Sequence, residues 1–260
     1  MTFVKRRDAR ERLAAAHAAM GSCGDGGERG MKVDAGEGFL GVLMLETRFP
    51  RPVGDVGHPE TYRRAGIPAR FATVRGASPQ RIVREADPAL LQPFLEAALE
   101  LERQGAALLS TSCGFLASYQ ASLSRAVAVP VITSSLLQVR RFARPGIVTI
   151  AAESLGPAIL EAAGVPAGAP IQGVEPGCEF HRRILGDEGT LDFAQAERDV
   201  VSAALELVRR HPGVSDIVLE CTNMPPYRDA VARATGCAVH DIETLLLAQW
   251  AALARGRVRR

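Results

Sequence analysis

The chain has 260 residues, 47% hydrophobic and 23% charged, which excludes intrinsic disorder and leaves ample material for a buried core without disulfide staples. Residues 1–30 carry six basic and four acidic side chains and 251–260 carry four arginines and no acid, so a formal net charge of +2 hides a body at −4. An acidic body with 9 Phe, 3 Tyr and 1 Trp is a poor nucleic-acid groove, and no apolar run approaches the ~18 residues of a membrane span.

Residues 1–37 read as an N-terminal extension, flexible or arising from a mis-called start at Met1 with Met31 as the alternative. Val4–Ala19 suits a basic helix, and Gly21–Gly30 is a Gly-rich linker. Its glycines complete no G-x-G-x-x-G and follow no strand, so they are not a dinucleotide loop. Strand-like runs follow at Phe39–Leu45, Phe71–Val74, Ala106–Leu109, Val127–Ile132, Gly146–Ile150, Ile217–Leu219 and Ala238–Val239. Asp87-Pro88 predicts a helix start ahead of Leu91, Phe94, Ala98 and Leu101. Asp192 with Gln195 predicts another ahead of Phe193, Val200, Ala204 and Leu207. Strands alternating with helices predict parallel sheets covered by helices.

The body carries a weak duplication. Gly41-Val42-Leu43 precedes Cys113 and then Thr133, much as Gly146-Ile147-Val148 precedes Cys221 and then Asp241. Each cysteine follows a strand-like run and precedes a helix-like segment, Phe115–Ala126 or Pro226–Ala234. The expected fold is α/β with two pseudo-symmetric lobes, each a mostly parallel sheet flanked by helices, and an active site in the inter-lobe cleft. Residues 38–132 plus 242–260 form the first lobe in this reading, and 133–241 the second.

Five cysteines, Cys23, Cys113, Cys178, Cys221 and Cys237, make an odd count with no C-x-x-C. That argues against a disulfide framework or zinc knuckle and for a reducing, cytoplasmic setting. Cys23, Cys178 and Cys237 read as small buried hydrophobes. Cys113 and Cys221, each between a strand end and a helix start, sit where free N–H groups and the helix dipole favour a thiolate. Two opposed thiols supply a base and an acid for inverting a carbon beside a carboxylate.

Leu-Ser-Thr-Ser-Cys113-Gly-Phe, Leu-Glu-Cys221-Thr-Asn-Met-Pro-Pro and a first strand ending in Leu45-Glu46-Thr47 resemble the cofactor-independent aspartate/glutamate/hydantoin racemase superfamily over about Phe39 to Gln249. The resemblance implies that Cys113 and Cys221 are the paired acid and base and that no cofactor or metal is needed. It implies substrate contacts from Glu46, Thr47, Ser112, Gly114, Phe115, Thr133, Ser134, Ser135, Thr222 and Asn223. The chain departs from the glutamate and aspartate racemases in having Gly114-Phe115 after the first cysteine and Asn223 two residues after the second. The Pro/Gly-rich stretch Arg48-Phe-Pro-Arg-Pro-Val-Gly-Asp55-Val-Gly-His58 adds Arg48 as a candidate carboxylate clamp, with Asp55 or His58 lining a lid. Its alternative is a solvated loop. His181 and His240 read as structural or surface residues, His211 as a helix C-cap, and Tyr227 as a packing residue.

The expected function is therefore a PLP-independent isomerase: a racemase or epimerase acting on an amino-acid or hydantoin-like substrate by two-thiol acid/base chemistry. A maleate-isomerase-like or arylmalonate-decarboxylase-like enzyme, or a non-catalytic small-acid binder, are the alternatives on the same fold. The expected partner is a small carboxylate, with no nucleic acid and no membrane. Assembly into a homodimer or higher homo-oligomer stays open.

Overall fold

The computed structural model describes residues 38–258. The readings of 1–37, including the helix Val4–Ala19, the Gly21–Gly30 linker and Cys23, lie outside the described residues.

Strands β1 (Phe39–Leu45), β2 (Ala69–Val74), β3 (Ala106–Thr111) and β4 (Val131–Ile132) form one sheet in the order β2-β1-β3-β4. Strands β5 (Pro145–Thr149), β6 (Ile171–Gly173), β7 (Asp216–Leu219) and β8 (Ala238–His240) form a second in the order β6-β5-β7-β8. All six pairings are parallel, so each sheet is the same four-strand winding. The expected α/β architecture of two pseudo-symmetric parallel sheets is present.

The repeat has a packing cause. A Cβ on Gly41 would lie 2.7 Å from Leu109 and 3.0 Å from Leu101, and one on Gly146 would lie 2.8 Å from Leu207. At equivalent points of the two central strands, a helix therefore presses a leucine into the space that a side chain would fill.

The helices are α1 (Pro59–Arg63), α2 (Leu91–Arg103), α3 (Gln120–Ala126), α4 (Pro157–Ala163), α5 (Glu179–Leu185), α6 (Phe193–Arg210), α7 (Arg228–Thr235) and α8 (Ile242–Val258). Asp87 caps as expected, accepting from the Ala89 amide at 2.9 Å, and α2 buries Phe94, Ala98 and Leu101. Asp192 accepts from the Gln195 amide at 3.0 Å, and α6 buries Val200, Ala204 and Leu207. Phe193 departs from that apolar set and stands exposed in the first turn. Strand β1 is buried on both faces. Leu40, Val42 and Met44 meet Ile242, Leu245 and Leu246 of α8, while Leu43 and Leu45 face the main core. Burying each of those α8 side chains contributes about 1.5–3 kcal/mol.

Three local expectations change. Val127–Ile132 is a strand only over Val131–Ile132. Val127 instead closes α3 through the Leu123 carbonyl, and the Ala128 and Val129 amides bond Glu102 Oε1. The helices after the two cysteines begin as 3₁₀ turns, Gly114–Tyr119 and Pro225–Tyr227. Strand β6 carries no apolar run and was unforeseen; parallel pairing with β5 defines it. Among the described residues no helix is long and apolar enough to cross a membrane.

Candidate active site

Each motif cysteine is the second residue beyond its strand: Thr111 ends β3 before Cys113, and Leu219 ends β7 before Cys221. Both strands run parallel to their neighbours, so their carboxyl ends present both thiols to one cavity of about 20 Å³. Its walls are apolar, with Leu45, Phe49, Val83, Phe115, Ile150 and Ile184, and its charged residues are Arg51 and Glu220. Such a volume holds one or two waters, so any organic substrate must widen it.

The two thiols sit in unlike surroundings. Burial pushes Cys113 up to about 12 and the Glu220 carboxyl adds to that, while the Phe115 and Leu116 amides and the Arg51 guanidinium oppose both. Cys221 is raised well above the ordinary thiol range by burial, then by Glu220, with Cys113 and Asp55 acting in the same direction. Only the Asn223 amide opposes it. Its Sγ–H donates to Asn223 Oδ1 at 3.5 Å. The orientation of that amide follows from its other end, because Nδ2 must donate to the acceptor-only carboxylate of Asp55, at 2.7 Å. Both thiols are thus held protonated in this cavity; two amides and Arg51 work toward a thiolate at Cys113, whereas the Cys221 Sγ–H is engaged by Asn223.

Glu220 is fully buried between them. Its Oε2 accepts from Thr149 at 2.7 Å, and its Oε1 has no hydrogen-bond partner among the described residues. Burial raises its carboxyl to about 7, with the Thr149 hydroxyl working the other way. Gly114 lies flush against it, since a Cβ there would overlap the Glu220 carboxyl and carbonyl. Only glycine fits that approach.

The other predicted residues divide. Ser112, Gly114, Phe115, Thr222 and Asn223 line the cavity. Ser112 Oγ accepts from the Leu45 amide at 2.8 Å, which holds the end of β1 against the Cys113 turn. Thr133, Ser134 and Ser135 are buried but outside the lining. Thr133 donates to Gln120 at 2.8 Å, Ser134 caps a 3₁₀ turn, and Ser135 donates to the Leu219 carbonyl at 2.7 Å. Glu46 is exposed and accepts from the Gly76 amide at 2.8 Å, while Thr47 accepts from Arg51 at 3.0 Å.

Arg48 does not reach the cavity. Its side chain is 78% exposed and pairs with Asp187 at 3.2 Å. Arg51, unmarked by sequence reasoning, lines the cavity instead. Its guanidinium bonds Asp55 at 2.8 Å and stacks on Phe49 at 4.5 Å, inside the lining. The spacing of Arg51 and Asp55, four residues apart, was the available signal. The stretch is half packed and half solvated: Asp55, Val56, Thr61 and Tyr62 are buried and the Val56 amide meets the Thr222 carbonyl, whereas Arg48 and Val53 are exposed. His58 caps α1 through the Glu60 amide.

His181, His240 and Tyr227 lie outside the lining. Tyr227 packs edge-on against Phe180, and His211 closes α6 through the Leu207 carbonyl. Cys178 and Cys237 are half-buried free thiols rather than fully buried ones.

No protein-family model matches the chain. Solved structures share its fold over most of its length. An allantoin racemase from Klebsiella pneumoniae aligns with a TM-score of 0.62 at 15% identity, covering 84% of this chain and 88% of that one. A glutamate racemase from Bacillus anthracis aligns at 0.56 and 17% identity, over 85% and 83%. Arylmalonate decarboxylase aligns at 0.55 and 16% identity, over 82% and 92%. The chain shares the fold of these three enzymes.

Curated sequences tell a different story about chemistry. A dimethylsulfoniopropionate lyase of Durusdinium sp. clade D is 27% identical over 218 residues, 78% of this chain and 70% of that protein. Dimethylsulfoniopropionate lyases 3 and 7 of Emiliania huxleyi are 30% identical over 78% and 79% of this chain. The chain spans only 56% and 64% of their lengths. These relatives overturn the expectation of a racemase, and the isomerase class with it. The physical reason is that racemisation and elimination share their first step, removal of a proton beside a carboxylate. Two thiols in a cleft do not specify what happens to the electrons next.

Proposed function

We propose that this chain is a lyase that splits dimethylsulfoniopropionate, or a close β-sulfonio acid, into dimethyl sulfide and acrylate, with Cys113 as the base. Cys113 loses its thiol proton to solvent as the substrate's cation enters the site and, as the thiolate, takes one Cα proton. The C–H electron pair becomes the Cα=Cβ double bond, the Cβ–S bond breaks, and its electrons leave on sulfur as neutral dimethyl sulfide. Acrylate remains, and the thiol later returns its proton to solvent. A neutral sulfide needs no acid to depart, so one base suffices.

The observation that carries this reading beyond the relatives' names is the inequality of the thiols. Two amides and Arg51 work toward a thiolate at Cys113 against burial and Glu220, whereas Cys221 donates to Asn223 and is opposed by Glu220 and Asp55 as well as by burial. A reversible two-base racemisation needs each thiol to serve in turn as base and as acid, and the bond to Asn223 ties Cys221 to the donor role. Arg51, fixed by Asp55 and Thr47, is placed to neutralise the substrate carboxylate and so to acidify the Cα proton. Apolar walls strengthen these charge interactions by keeping water out. The free thiols fit a reducing cytoplasm. Purified chain incubated with dimethylsulfoniopropionate is expected to release dimethyl sulfide and acrylate in equal amounts, read by headspace gas chromatography and proton NMR. Absence of both products would refute the reading.

A further inference from the structure

We propose that Glu220 is a specificity-determining residue that holds the cationic end of the substrate, so the site selects acids carrying a permanent positive charge opposite the carboxylate. This deepens the lyase reading and rests on it for the substrate's identity.

Glu220 is fully buried, yet its Oε1 has no hydrogen-bond donor among the described residues. A buried carboxylate oxygen left unpartnered is costly and calls for a partner that arrives from outside the fold or for a proton. Among the described residues no arginine or lysine bonds to Glu220, and its side-chain partner is the Thr149 hydroxyl. Arg51, the cation of the same lining, is already paired with Asp55 at 2.8 Å. The lining therefore offers a carboxyl with one unpartnered oxygen and, separately, a guanidinium held by Asp55 and Thr47. A zwitterion with a carboxylate at one end and an onium at the other matches both.

The type of cation follows from the walls. A sulfonium has no N–H to donate, so it is stabilised by a carboxylate at contact and by aromatic faces. Phe115 lines the cavity with Glu220, as does Phe49, whose ring already carries the Arg51 guanidinium. Gly114 completes the fit, because any larger residue would push into the carboxyl. The titratable groups facing Glu220 are the two thiols, Cys113 and Cys221, both of which it disfavours as thiolates. An onium against Glu220 cancels that repulsion, so substrate binding itself makes the Cys113 proton easier to remove.

Calorimetric titration of wild type and Glu220→Gln tests this with two ligand pairs. Dimethylsulfoniopropionate is compared with its carbon isostere β-isopropylpropanoate. The second pair is β-trimethylammoniopropanoate with β-tert-butylpropanoate. Wild type should bind each cation about tenfold or more tighter than its isostere. Glu220→Gln should bring the members of each pair within about twofold while leaving the isosteres' affinity unchanged. Should the variant fail to fold, wild type alone answers: lowering the pH from about 8 to about 5.5 protonates Glu220 and should erase the preference. A preference that survives the variant or the lower pH, or none in wild type, overturns the proposal. Preference lost in the variant from a protein that releases no dimethyl sulfide would sink the lyase reading and leave this one standing. Lyase activity with the preference intact in Glu220→Gln would do the reverse.

Discussion

Thr222 donates its hydroxyl hydrogen to the Ser112 carbonyl across 2.7 Å, so the residue after one cysteine is bonded to the residue before the other. Both are buried, and the two strand ends belong to different sheets. This bond and the close approach of Gly114 to Glu220 together hold the two thiol loops at their spacing.

Thr222→Val keeps the shape and removes the donor. It leaves the Ser112 carbonyl unsatisfied and should cost about 1–3 kcal/mol in urea unfolding. Activity should fall further than stability requires, by about ten- to a hundredfold in kcat at a temperature where the variant is folded. Unchanged kcat in a destabilised variant would make the bond purely structural.

Arg48 and Arg51 should part company. Arg48→Ala removes an exposed pair with Asp187 and should change stability by no more than about 1 kcal/mol, with KM within about twofold of wild type. Arg51→Lys keeps the charge near Asp55 but loses the planar fork that also reaches Thr47. It should raise KM about tenfold. Equal effects at the two positions would remove Arg51 from the carboxylate site.

Glu220 makes stability depend on pH in a defined direction. Its carboxyl titrates near 7 when folded against an ordinary 4.5, so the folded chain holds the extra proton between those values. Stability from this group is therefore complete below about pH 4.5 and is lost as pH rises through about 7. Glu220→Gln removes the titration. At about pH 8 it should be more stable than wild type by on the order of 3 kcal/mol, a gap that closes as the pH falls toward 4.5. Denaturant curves at both ends of that range decide it, and a gap independent of pH would contradict the assignment.

Particular residues show where sequence was sufficient. Asp87 and Asp192 were recognisable as caps because a cap depends on the next few residues alone. Gly41 and Gly146 marked the repeat because each central strand must admit a leucine from its covering helix. Cys113 and Cys221 were legible as a pair because both follow a strand in matched contexts. What failed depended on the far side of the molecule. Thr133, Ser134 and Ser135 look like carboxylate ligands in the chain, but their hydroxyls tie helices and the second sheet together. Glu220 reads as a polar residue ending a strand, and its burial comes from Gly114, more than a hundred positions away. Arg48 and Arg51 are alike in sequence until the turn brings one of them back to Asp55. The reaction was the least legible, since the leaving group belongs to the substrate.

The central claim is that one thiolate, at Cys113, performs an elimination. Its most direct test is dimethyl sulfide release by Cys113→Ser and Cys221→Ser measured side by side with wild type. Cys113→Ser should lose about a thousandfold or more, because serine is no base near neutral pH. Cys221→Ser keeps a hydroxyl donor to Asn223 and should lose no more than about tenfold. Equal, near-complete loss in both variants would contradict the single-base account.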